Sequence, residues 1–141
     1  MKLNSKRAIL GGLVGTAVMT MMMYKGAPMM IGMKMDIAHR LSGMLGGNWM
    51  LGMAVHWING VVVFPVIFVA FVAKFLPGKV LFRGVLWGII LWLIAQTVIM
   101  PMTGAGFFSS NIGPKVVMAS LMGHIVYGAL LGAISREEVS A

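Results

Sequence analysis

The chain contains no cysteine, which excludes disulfides, iron–sulfur clusters, thiolate zinc sites and the C-x-x-C-H attachment of a covalent haem. Acidic side chains are nearly as scarce. Asp and Glu number 3 in 141 residues, and Asp36 is the only one ahead of the C-terminal Glu137-Glu138 pair. No H-E-x-x-H motif, phosphate loop or nucleophile elbow occurs, so the enzyme classes that those motifs mark have no support. Charged residues make up 10% of the chain, where soluble domains carry roughly a quarter. What fills the sequence instead is apolar: 60% hydrophobic residues and a mean hydropathy of +0.96. That balance points to an integral membrane protein in contact with the lipid bilayer.

The net charge is +8, but its cations are scattered singly near the ends of apolar runs. A nucleic-acid reader needs a continuous basic face, so no nucleic acid is expected as a partner, and phospholipid headgroups suit the pattern better. Four uncharged apolar runs, Ala8 to Tyr24, Met50 to Ala73, Gly84 to Met102 and Val116 to Ile134, are long enough, or nearly so, to cross about 30 Å of hydrocarbon as helices. The first run, behind Lys2, Lys6 and Arg7, is longer than most signal-peptide cores and is expected to be retained as a span. Counting Lys and Arg on alternate sides favours both termini in the cytoplasm, in a bacterial inner membrane. The expected architecture is all-α: one membrane domain, a four-helix bundle of two α-hairpin repeats. An amphipathic surface helix over about 29–45 is expected between the first two spans, because Met30, Met33, Ile37, Leu41 and Met44 recur at helical spacing and Gly26 and Pro28 break the first span.

Histidine interrupts two of the oily runs in the same way, as His56 with Gly60 in "HWING" and His124 with Gly128 in "HIVYG". Ionisable groups inside spans are costly and generally face the bundle interior. In an up-down-up-down bundle the second and fourth helices lie on a diagonal of roughly 12 to 14 Å, on the order of the space that two facing imidazoles and a shared metal centre occupy. His56 and His124 are therefore candidate axial ligands of haem b. Gly60 and Gly128 could admit the flat macrocycle, Asn59 could accept the second N–H of His56, and Tyr127 or Ser120 that of His124. The same glycines equally serve close helix packing, and the imidazoles could simply bond to Asn59, Gln96, Tyr127 or each other. A third possibility is Cu(I), since thioethers with imidazole suit it and Met19, Met23, Met29, Met30 and Met33 cluster near the first span. A proton pathway through His56, Gln96 and His124 lacks the intramembrane carboxylates usual in such relays. Asp36 and His39 read as a solvated polar face, with Asp36 able to reach a histidine if the surface helix folds over the bundle mouth.

Taken together, "MDIAHRLSGMLG", "HWINGVVVFPVIF", "LPGKVLFRGVLWGIILWL", "VIMPMTGAGFF" and "GHIVYGALLGAI" resemble an uncharacterised bacterial family of small four-span integral membrane proteins, a domain of unknown function. The resemblance runs nearly the whole length and rests most specifically on Asp36, His56 with Gly60, Pro101 with Gly104 and Gly106, and His124 with Gly128. It implies the fold and a membrane location and brings no activity with it. His39 and the crowded methionines depart from the family pattern, so copper would be particular to this chain. The expected function is haem b binding and electron transfer in a small accessory subunit of a larger membrane complex. The alternatives are a cofactor-free structural or assembly subunit, alone or as a homo-oligomer, and a Cu(I)-binding membrane protein.

Overall fold

Apolar runs without charge can satisfy their backbone in lipid only by coiling on themselves, and a computed structural model of the protein, describing residues 3–136, has four such helices. They are α1 (Ser5–Ile31), α3 (Trp49–Lys74), α4 (Val80–Met102) and α5 (Pro114–Ser135), with the short α2 (Ile37–Met44) between the first two. The protein is thus an all-α, four-span bundle. Asparagine and aspartate start three of these helices: Asn4 and Asn48 each accept two backbone N–H groups of the following turn, and Asp36 accepts that of His39. The charges expected at Lys2 and at Glu137-Glu138 lie outside the described residues.

α1 is longer than the sequence suggests. Gly26 and Pro28 do not end it at Tyr24; they are absorbed by a π-helical turn, Met22–Gly26, and the helix continues to Ile31. The surface helix shrinks accordingly from about 29–45 to Ile37–Met44, after a left-handed turn at Gly32 (φ 77°).

The same device recurs in α3 and α4, where π-turns Asn59–Val63 and Ala95–Ile99 end two residues before Pro65 and Pro101. A proline has no N–H and its ring crowds the carbonyl four residues back. In each case the amide just ahead of the proline bonds five residues back, to Met22, Asn59 or Ala95. The next carbonyl in line then finds a proline where its amide should be. Two of these freed carbonyls are taken up by tertiary bonds: Met35 N–H donates to the Met23 oxygen at 3.2 Å, and the Tyr127 hydroxyl donates to the Gly60 oxygen at 2.6 Å.

Helix order in space follows the small residues. α5 lies at the centre, against α1 on one side and α4 on the other. A Cβ at Gly84 would strike the Gly128 carbonyl, one at Gly88 the His124 carbonyl, and one at Gly128 the Gly84 carbonyl, so these two backbones touch directly. α3 packs on α1, where Gly12 lies against Pro65 and Gly60 against Thr16. α3 makes no extended contact with α5, and it meets α4 only near the turn that joins them. Asn4 N–H donates to the Ser135 oxygen at 3.1 Å and Arg7 Nε to the Ile134 oxygen at 3.0 Å, tying the start of α1 to the end of α5. One face of the bundle therefore carries the described ends of the chain, and the opposite face carries α2.

Candidate functional site

Because α3 and α5 are held apart, a cavity of about 400 Å³ runs into the bundle from the α2 face. That is within the usual range of small-molecule sites, roughly 300–1,000 Å³. All four spans line it, and the segment from Met33 to Leu41 closes over its mouth. Its walls are mainly aliphatic side chains, methionines and aromatic rings.

Both histidines line this cavity, His56 from α3 and His124 from α5. They sit roughly 10 and 15 Å from the α2-face ends of their helices at 1.5 Å per residue, a difference of about one turn. Their hydrogen bonds fix which ring nitrogen is free. Thr20 has a single hydroxyl proton and donates it to the Thr16 carbonyl at 2.6 Å, so at 3.0 Å from His56 Nε2 it accepts from that nitrogen. His124 Nδ1 lies 2.8 Å from the Ser120 carbonyl, which can only accept. In neutral imidazoles this leaves the lone pair on Nδ1 of His56 and on Nε2 of His124, and neither nitrogen has a hydrogen-bond partner among the described residues.

Ser120, whose carbonyl takes His124 Nδ1, has its side chain held by a buried polar relay. Ser109 Oγ donates to Gln96 Oε1 at 2.8 Å, and Gln96 Nε2 donates to Ser120 Oγ at 3.3 Å. Gln96 and Ser109 are both fully buried, and Ser109 stands in the left-handed region (φ 50°), directly after Phe108 (φ 48°). Two consecutive non-glycine residues there carry strain that the surrounding structure must overcome.

Of the other residues singled out in the sequence, Asn59, Gly60 and Tyr127 line the cavity, but in other roles. The His56 partner is Thr20, not Asn59, and Tyr127 bonds across to Gly60 rather than to His124. Gly128 is turned to α4 and is not part of the cavity wall, so its missing side chain serves helix packing, not a macrocycle face. Met19, Met23 and Met33 line the cavity, whereas Met29 and Met30 are 88% and 63% exposed. α2 does fold over the mouth, yet Asp36 does not reach a histidine. It accepts from the Tyr24 hydroxyl at 2.5 Å, from His39 N–H at 2.9 Å and from Trp49 Nε1 at 3.3 Å. Partial burial pushes this carboxyl up, but the bonds from Tyr24, His39 N–H and Trp49 outweigh it and hold its pKa below the ordinary value.

Several site residues were not evident in the sequence. Thr16 and Thr20 fall on a small-residue stripe of α1 that reads as packing. Thr16 and Trp87 line the cavity, and Thr16 Oγ1 and Trp87 Nε1 are buried with no hydrogen-bond partner among the described residues. Among the described residues no group of three or more His, Asp or Glu gathers at metal-binding distance.

Fold and cavity together define a small four-span helical membrane protein with an imidazole-lined chamber inside it. The chain belongs to a family of unknown function, DUF6789, whose sequence pattern matches residues 4–137. No curated protein and no solved structure matches it.

Proposed function

We propose that this protein binds haem b in its central cavity through His56 and His124 and serves electron transfer, as a small accessory subunit of a larger membrane complex. The observation that carries the proposal is the pair of unspent imidazole lone pairs, one on α3 and one on α5, on the wall of a single apolar cavity. Two imidazoles are fewer than the three or four protein ligands that zinc sites use. A porphyrin supplies the four remaining ligands itself. Its apolar body suits the aliphatic and aromatic wall, and each ligating ring already has its other nitrogen committed, as metal-bound histidines generally do. The group, when bound, supplies a one-electron iron couple; the chain orients the two rings and keeps water away. The membrane we assign is the bacterial inner membrane with both termini cytoplasmic, as the Lys and Arg count favours. Ile58, Val62 and Val66, spaced four apart and exposed on α3, offer an apolar stripe to lipid, a second copy or a partner subunit.

Purified protein expressed with ample haem precursor should carry a Soret band that is lost in His56→Ala or His124→Ala and retained in His39→Ala. A colourless preparation that takes up no added haem overturns the proposal. One competing ligand is favoured by a specific observation. Met19 and Met23 line the cavity beside the histidines, a thioether and imidazole set that suits Cu(I). Stoichiometric copper released by Met19→Leu or Met23→Leu, with no haem uptake, would decide for it.

A further inference from the structure

The cavity is apolar along its walls but not at its mouth. Lys34, on the turn after α1, and Arg40, on α2, both line it there. On α2 the cavity-facing residues are Ile37, Arg40 and Leu41, the one-sided spacing of a helix laid across an opening. Neither the Lys34 ammonium nor the Arg40 guanidinium has a hydrogen-bond or ion-pair partner among the described residues. The nearest carboxylate in sequence, Asp36, is engaged by Tyr24, Trp49 and a backbone N–H, and it does not line the cavity. Among the described residues no acidic side chain does.

We infer that Lys34 and Arg40 form an acid-group subsite, so that the cavity selects an amphipath whose apolar body enters the bundle while its carboxylate stays at these two cations. The physical ground is charge complementarity beside a low-dielectric chamber. A carboxylate drawn deeper would lose its hydration without compensation, whereas at the mouth it keeps part of that hydration and gains two charge-assisted bonds. Arginine in particular can hold a carboxylate through two parallel N–H bonds. This rests on the cavity being a ligand site and deepens the haem proposal, because haem b carries two propionates. A free fatty acid presents the same chemistry, and the experiment separates the two.

The full-length protein, delipidated in a neutral detergent, is titrated with haem b and with its dimethyl ester, followed by absorbance. It is titrated in parallel with a spin-labelled long-chain fatty acid and the corresponding alcohol, followed by the immobilised fraction of the label. The acid of at least one pair should bind roughly tenfold more tightly than its neutral analogue, the scale of two part-exposed ion pairs. That preference should vanish in Lys34→Gln/Arg40→Gln and persist in Lys25→Gln, which removes a cation that does not line the cavity. An acid preference confined to the haem pair identifies haem as the source, and one confined to the fatty-acid pair, with no haem taken up, supports the subsite while overturning haem. Equal binding of acid and neutral forms, a preference that survives the double substitution, or no binding of any of the four probes overturns the inference. Haem bound with no acid preference in either pair would leave the histidine proposal standing and remove this one alone.

Discussion

The two histidine-bearing helices are built on opposite principles. α5 is a continuous α-helix at the centre of the bundle, with glycines on the face turned to α4, and 33% of its most apolar window is buried inside the protein. α3 is peripheral, interrupted by a π-turn, and only 17% of its window is buried. One histidine therefore stands on a rigid wall and the other on a wall held by few contacts. The cavity exists because α3 is not packed home against α5, and the Tyr127 bond to the Gly60 carbonyl spans the gap between them. A carbonyl that Pro65 deprived of its amide becomes the tie between two helices.

The contrast is most sharply broken at the α4–α5 contact. Gly128→Val would drive a branched side chain into the Gly84 backbone, so thermal unfolding in detergent should show a loss of about 3 kcal/mol or outright failure to fold. Ile58→Ala, on the exposed face of α3, should change stability by less than about 0.5 kcal/mol. If Ile58→Ala is the more damaging of the two, that face of α3 is buried against a partner and the contrast fails.

Tyr127→Phe comes next. It should cost about 1–3 kcal/mol, because it leaves the Gly60 carbonyl unpaired inside the bundle. Pro65→Ala restores an amide within reach of that carbonyl, so in its presence the cost of Tyr127→Phe should shrink, a non-additivity that a double-mutant cycle reads directly. Full additivity would mean that the proline is not what frees the carbonyl.

Thr20→Val tests the weaker wall. Loss of the bond that orients His56 should cost about 1 kcal/mol and, more tellingly, change the ring's nitrogen NMR shifts while leaving those of His124 unmoved. A shift in both rings would show that the two walls are coupled.

The smallest effect is expected at the α2 clamp. Asp36 has its pKa lowered in the fold, so it contributes stability above the ordinary carboxylate pKa, and that contribution is lost as the pH falls through the lowered value. Fluorescence of Trp49, which bonds to Asp36, should stay constant from neutral pH down to the ordinary carboxylate range and change only below it. In Asp36→Asn the same acid titration should be flat.

Much of the fold was legible because lipid leaves so few options. An uncharged run of sufficient length must be a helix, and the connecting segments make neighbours of α1 and α3 and of α4 and α5, although the consecutive α3 and α4 meet only near their turn. The separation of α3 from α5 followed from that topology. The end of α1 was misjudged because glycine and proline normally stop a helix, and a π-turn that absorbs them leaves no separate mark in the residues. At the site, both histidines are found on the cavity, and Ser120, one of the two partners offered for His124, does take its second ring nitrogen through its carbonyl, but Asn59 and Tyr127 do not fill the roles offered for them. Asn59 is on the same helix as His56, yet the bond that orients the ring comes from Thr20 on α1, and linear proximity carries no information about a neighbouring helix. Lys34 and Arg40 belong by sequence to the polar remainder of the amphipathic surface segment, and only the placement of α2 across the mouth brings them to the cavity.

The amino-acid order alone settled that this chain lives in a membrane, crosses it four times and carries two imidazoles inside, since hydrophobic transfer and backbone satisfaction are properties of each segment taken singly. Which ring nitrogen is free, which glycine packs and which opens space, and where a freed carbonyl finds its donor were decided only when the helices met. Those outcomes depend on distances between residues far apart in the chain, and no local periodicity encodes them.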